Sequence, residues 1–344
     1  MNRKTHRWPF LTGTIGTVGG IARFSGPAGE QERGEQWDWK PTAHDVTAHD
    51  GHRLQVWERT FAEDPDEAVL FIHGATYHAL SRFDPPVAED FGWLNFVAEH
   101  GQAAYAVDMY GYGESEPPAA YEQPPEENKP IARLSREADD LIDTLNFIRK
   151  KEGFDRVHCI GHSLGTWRVR ALYNKYDPQF ATVTLYAGSY QDIDMEGDPE
   201  DPAYGTETRE EFLEDWNAAI PKGEDRDQWI GGDQFTADEV QETIWKTLFD
   251  SNQAADDDPQ TIFTPSIYMD EDRHPKQIID PTLVIRGSND TLITREGALN
   301  LYDAVGATNH QKQYTEIAGG THALLNEAKR RQLFDTTYHF QTMY

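Results

Sequence analysis

Three side chains far apart in the chain have the types and surroundings that turn an alcohol into a nucleophile. Ser163 is the centre of Gly161-His162-Ser163-Leu164-Gly165, directly after the apolar run Val157-His158-Cys159-Ile160. A strand that ends in G-x-S-x-G and passes at once into a helix is a nucleophile elbow. Its nearly bare flanking positions let the serine adopt strained backbone geometry with its hydroxyl clear of the sheet. A serine hydroxyl is a poor nucleophile at neutral pH and needs a base, typically a histidine oriented by a carboxylate on its other ring nitrogen. Leu283-Val284-Ile285 runs into Arg286-Gly287-Ser288-Asn289-Asp290, which puts Asp290 on a loop at a strand's carboxyl end. Tyr314-Thr315-Glu316-Ile317 leads into Ala318-Gly319-Gly320-Thr321-His322, which puts His322 on the loop after the last strand. Asp192 and Asp194, after an earlier strand, are rival carboxylates for Asp290. His162 is expected to point away from the serine hydroxyl, because adjacent residues on an elbow diverge.

The elements that must position these groups alternate between strand and helix from about residue 40. His44 to Thr47 and Leu54 to Glu58, around Asp50-Gly51, read as an antiparallel hairpin. Ala68 to Ile72, Ala103 to Val107, Val157 to Ile160, Thr182 to Ala187, Thr282 to Ile285 and Gln313 to Ile317 read as strands. Between them fall a short helix around Trp93 to Val97, one from Ser135 and one carrying Trp167, Val169 and Leu172; a final helix starts near Leu325. Strands alternating with helices imply an α/β class with a mostly parallel sheet and helices on both faces. Residues 190–280 break this rhythm. They hold two capping boxes, Thr208-x-x-Glu211 and Thr236-x-x-Glu239, and read as a mostly helical cap or lid inserted into a core of residues 40–189 and 281–344. The aromatics Trp216, Trp229, Trp245 and Phe249 are expected to form that insertion's own small core.

With these parts in place, the chain resembles the α/β-hydrolases. The chain order Ser163, Asp290, His322 is theirs. The resemblance rests on Phe71-Ile72-His73-Gly74, Asp108-Met109-Tyr110-Gly111-Tyr112-Gly113-Glu114-Ser115, the elbow, Gly287-x-x-Asp290 and Gly320-x-His322. It implies an eight-stranded sheet and a cofactor-free serine hydrolase acting on small-molecule carboxylic esters. The oxyanion would be held by the backbone N–H groups of Leu164 and Ala75, with His73 as a structural support. Tyr77 and Tyr110 are candidate pocket walls. One departure is Thr166-Trp167, where relatives often carry another glycine after the elbow. The same machinery serves amidases, thioesterases, C–C bond hydrolases, acyltransferases and perhydrolases, and the scaffold also carries non-catalytic binding proteins. These alternatives stay open at the level of sequence.

The 344 residues carry 31 Lys+Arg against 60 Asp+Glu, a formal net charge of −29. Such a surface repels phosphate, which argues against nucleic acid or an anionic membrane as partner. No His/Cys/Glu cluster has metal-ligand spacing, so no metal is expected. The single cysteine, Cys159, precludes an internal disulfide and is expected to be buried and inert. No apolar run reaches the length of a transmembrane helix. Residues 1–39 have the outline of an export signal, with Arg3, Lys4 and Arg7 before Trp8-Pro9-Phe10-Leu11. The adjacent arginine pair is missing and Arg23 interrupts the apolar stretch, so a cytoplasmic protein with a tail is the expectation and export the alternative. The acidic excess also fits adaptation to high salt, where screening relieves self-repulsion. On that reading the thermal midpoint, followed by circular dichroism, rises between about 0.1 M and about 2 M KCl; an unchanged midpoint counts against it.

Overall fold

The computed structural model describes residues 39–150, 152–191, 196–251 and 260–344. The signal-like segment before Trp39, the rivals Asp192 and Asp194, and the acidic run Asp256-Asp257-Asp258 lie outside the described residues. The hairpin is β1 (Thr42–Thr47) and β2 (Arg53–Arg59), paired antiparallel about a turn in which Gly51 takes φ 98°. β3 (Glu67–Ile72) follows, then α1 (Ala79–Phe83), α2 (Trp93–Glu99) and β4 (Ala103–Asp108). β3 and β4 are continuous apolar runs because helices cover both faces of the sheet there. The two-residue β5 (Ala132–Arg133) leads into α3 (Leu134–Lys150), which buries Ala138, Leu141, Leu145 and Ile148 along one stripe. β6 (Arg156–His162) runs into the elbow, and α4 (Leu164–Lys175) and β7 (Val183–Tyr186) complete the first half.

The insertion then supplies β8 (Tyr204–Thr208), α5 (Arg209–Ala218), α6 (Arg226–Ile230), α7 (Ala237–Asp250), β9 (Thr261–Pro265) and β10 (Ile267–Tyr268). Both capping boxes form: Thr208 and Thr236 accept from the N–H of Glu211 and Glu239, whose carboxylates reach back to the cap N–H. The insertion is less purely helical than its sequence suggests. β8 and β9 pair antiparallel, and β10 pairs with β5. Trp216 and Trp245 are buried in one apolar cluster with Phe212, Ile244 and Leu248, and Trp229 and Phe249 pack on it. Phe91 and Ala323 from outside the insertion join the same cluster, so it is also the contact with the core.

β11 (Thr282–Gly287), α8 (Arg295–Ala304), β12 (Lys312–Ile317) and α9 (Arg330–Gln341) close the chain. The final helix begins at Arg330 rather than near Leu325, because Leu324–Asn326 forms a separate 3₁₀ turn and Glu327 is turned inward onto Thr321. The eight-stranded sheet has the order β1-β2-β4-β3-β6-β7-β11-β12, parallel from β4 to β12. The carboxyl ends of β3, β6, β11 and β12 therefore open on one edge of the sheet. Cys159 is buried at the middle of it.

The edge is tight where β3 meets the elbow. A Cβ at Gly165 would lie 2.2 Å from the carbonyl oxygen of Ile72. Gly165→Ala is expected to destabilise the fold by about 2 kcal/mol or more, read from the urea unfolding midpoint.

Candidate active site

Ser163 sits between β6 and α4 with φ 53° and ψ −123°, a conformation that costs a non-glycine residue about 1 to 3 kcal/mol. Its neighbours leave no alternative. A Cβ at Gly161 would lie 2.8 Å from the Gly165 carbonyl oxygen, and a Cβ at Gly74 would lie 2.9 Å from the Ser163 Cβ. The Ser163 N–H donates to the Tyr186 carbonyl at 2.9 Å, and the Thr166 N–H donates to the Ser163 carbonyl at 2.8 Å. Thr166, where a further glycine would be common, is fully buried against Gly188; a Cβ at Gly188 would lie 2.6 Å from its Oγ1. The space missing at the elbow is supplied by a glycine after β7.

The loops after β11 and β12 bring the other two groups to this point. Ser163 Oγ is 2.9 Å from His322 Nε2, and His322 Nδ1 is 2.9 Å from Asp290 Oδ2. The second Asp290 oxygen accepts from the N–H groups of Leu292 and Ile293, both at 2.9 Å. The two loops can approach because Gly287 lacks a side chain: a Cβ there would lie 2.2 Å from the Gly320 carbonyl oxygen. Arg286 pins the Asp290 loop by donating to the carbonyls of Asp290 and Ile293 at 3.0 Å. Its guanidinium also pairs at 2.7 Å with Glu316, its partner in register on β12.

The loop after β3 lies against the serine on the other side. His73 is fully buried; Nδ1 donates to the Gly74 carbonyl at 2.8 Å and Nε2 accepts from the Met109 N–H at 3.1 Å. Burial, with Arg168 nearby, holds its pKa well below the ordinary value, so the ring stays neutral and serves as a strut. Arg168 from α4 donates to the carbonyls of His73 at 2.7 Å and Gly74 at 3.3 Å, and pairs with buried Glu137 of α3. A trans peptide points its carbonyl and N–H in opposite directions, so fixing the Gly74 oxygen also fixes the N–H of Ala75. Leu164 provides the first N–H of α4, the element that follows the serine.

Arg82, which no motif marks, is the least expected member of the site. It is 1 % exposed and donates to the His322 carbonyl at 3.1 Å, to Asn326 Oδ1 at 3.2 Å and to the His162 ring at 2.9 Å. The Tyr186 hydroxyl donates to the same His322 carbonyl at 3.0 Å. His162 is thereby packed beneath the His322 ring, its own pKa held well below the usual value by burial and Arg82. The sequence signal for Arg82 is weak: a cation in a short helix beside Ala79, Leu80 and Phe83. Tyr77 packs between Arg82 and Phe212 of the insertion. Tyr110 packs on His52 and under Arg136.

Glu327 anchors the His322 loop. It is 1 % exposed and accepts from the Thr321 N–H at 3.1 Å and from the Thr321 hydroxyl. Burial pushes its pKa up to about 7. The folded state therefore keeps a proton that the unfolded chain releases near the ordinary carboxyl pKa. This contribution is fully present below that value and is lost as pH rises toward about 7. Glu327→Gln, which keeps the hydrogen-bonding shape without the charge, is expected to flatten that decline. Its urea midpoint should exceed the parent's at pH about 8 and match it near pH 4, where the parent carboxyl is neutral in both states.

The sequence model of the α/β hydrolase fold family matches residues 67–328. Among solved structures, the chain is similar to a serine hydrolase involved in carbazole degradation, with a TM-score of 0.53 and 17% identity over 88% of this chain and 100% of that one. It is also similar to an esterase from Exiguobacterium antarcticum, with a TM-score of 0.52 and 16% identity over 88% and 100% of the two chains. A bacterial membrane phospholipase A superposes with a TM-score of 0.57 and 13% identity, over 88% of this chain and 86% of that one. These identities speak to fold alone. A probable lysophospholipase of Arabidopsis thaliana, BODYGUARD 4, is 29% identical over 140 residues, which span 39% of this chain and 28% of that protein. With the family match covering most of the chain, and the sheet order and elbow described above, the protein belongs to the α/β-hydrolase fold family.

Proposed function

We propose that the protein is a serine hydrolase that cleaves carboxylic esters through an acyl-enzyme. The observation that carries this reading is the unbroken hydrogen-bonded line from Ser163 Oγ through His322 to Asp290, mounted on a left-handed serine at the open edge of the sheet. His322 Nε2 takes the hydroxyl proton as Ser163 Oγ bonds to the acyl carbon, and Asp290 holds the ring with Nδ1–H toward itself. The developing oxyanion accepts from the N–H groups of Leu164 and Ala75. Leu164 adds the positive end of the α4 dipole. His322 then returns the proton to the leaving alcohol, and a water activated by the same ring deacylates the serine. Residues 190–280 act as a cap whose inner face bounds the substrate, consistent with Tyr77 meeting Phe212.

An ester substrate is also supported by the partial sequence relative, a probable lysophospholipase that is 29% identical over 140 residues. The test is turnover of a panel of p-nitrophenyl esters of increasing chain length, beside matched amides and thioesters. Ser163→Ala is expected to lower kcat by at least about 10⁴-fold and to abolish labelling by a fluorophosphonate probe. Asp290→Asn should leave the fold intact and cost about 10³- to 10⁴-fold in kcat. Undiminished turnover by the Ser163 variant would defeat the mechanism, and turnover of amides or thioesters alone would reassign the substrate.

A further inference from the structure

The residue after Ala75 has an improbable backbone. Thr76 has φ 65°, and the Tyr77 N–H donates to the Ala75 carbonyl at 2.7 Å across it. That is a tight γ-turn of the positive-φ kind, rare for any residue and worse for a β-branched one. Strain of this kind persists only where neighbours over-determine the conformation. The Thr76 hydroxyl donates at 3.2 Å to Oε2 of Glu207, which belongs to the insertion.

Glu207 is itself rigidly placed. It lies on β8 opposite Ile262 of β9, and the next residue, Thr208, caps α5 through its box with Glu211. Glu207 is 4 % exposed, and burial pushes its pKa up to about 7, with Asp215 and Glu211 adding repulsion. A carboxyl so disposed is a burden on the β8–β9 pair, and its hydrogen bond leads out of the insertion to the loop beside the serine.

We propose that Glu207 is a positioning residue: by holding Thr76 in its left-handed turn, it completes from the insertion side the clamp on Ala75 that His73 and Arg168 make from the core side. The Gly74 carbonyl sets one end of this short segment and the Thr76 turn sets the other, with the Ala75 N–H between them. The inference rests on the reading of Ala75 as an oxyanion donor. It adds that the insertion takes part in forming the site rather than only covering it.

The test combines structure and kinetics on Glu207→Ala, Glu207→Gln, Thr76→Val and the Glu207→Ala/Thr76→Val double variant of the full chain. In crystal structures, Thr76 is expected to relax to negative φ in Glu207→Ala and to keep its turn in Glu207→Gln. With p-nitrophenyl butyrate, Glu207→Ala and Thr76→Val should each lose about 10- to 100-fold in kcat with KM changed less than about threefold. The double variant should lose no more than either single one, and Glu207→Gln should recover most of the rate. Thr76→Val keeps the branched shape and carries the test if Glu207→Ala does not fold. Retention of positive φ at Thr76 in Glu207→Ala overturns the proposal, as does an unchanged kcat or an effect on KM alone. A wild-type protein that neither turns over esters nor labels at Ser163 would instead defeat the proposed function, and the Thr76 backbone would still decide whether Glu207 holds the turn.

Discussion

The site depends on one constraint, the left-handed turn at Ser163. That turn can exist only where flanking atoms leave room, and here the room is made by glycines. Gly161 and Gly165 bring the two arms of the elbow together, and Gly165 also sits against the carbonyl of Ile72. Gly74 lets the loop after β3 touch the serine. The Gly161 and Gly165 contacts are with backbone carbonyls and the Gly74 contact is with the serine's own Cβ, so the serine position is set largely by the sheet rather than by long, adjustable side chains. The strain is borne by the packing of β3, β6 and α4, whose facing residues are almost wholly buried.

Around that turn, three buried arginines do the same job for three loops. Arg168 holds the carbonyls of His73 and Gly74, Arg82 holds that of His322, and Arg286 holds those of Asp290 and Ile293. The planar guanidinium suits this role, because its fixed donors can serve several carbonyls at once. Burying the charge is costly and is offset differently in each case. Arg168 faces buried Glu137 and Arg286 faces Glu316, whereas Arg82 is surrounded by the neutral ring of His162, Asn326 and the His322 carbonyl. The geometry of the Ser163–His322–Asp290 line is thus fixed from below by charge-assisted hydrogen bonds to the backbone.

Much of the core could be read from the chain. The inner strands of the large sheet are apolar or alternating runs, and both capping boxes of the insertion follow from their spacing. Ser163, Asp290 and His322 stand out as candidates because each lies in a glycine-marked loop after a strand, where the local sequence must solve a local steric problem, and the fold brings the three together. The strands β8 and β9 were missed because they are short, polar and half-exposed, with little periodic signal. The late start of α9 was missed because an inward-turned glutamate, not a helix breaker, ends the preceding turn.

What the chain determined on its own is whatever local sterics and periodicity enforce: the elbow, the strand–helix alternation, and the candidate acid and base at strand ends. What only the folded molecule decided is which distant side chains support them. Arg82 comes from α1 to a loop more than two hundred residues later, and Glu207 reaches from the insertion back to Thr76. Neither stands in a recognisable pattern. Their roles arise from burial and from hydrogen bonds across the sheet edge, and burial becomes defined only when the core has closed around them.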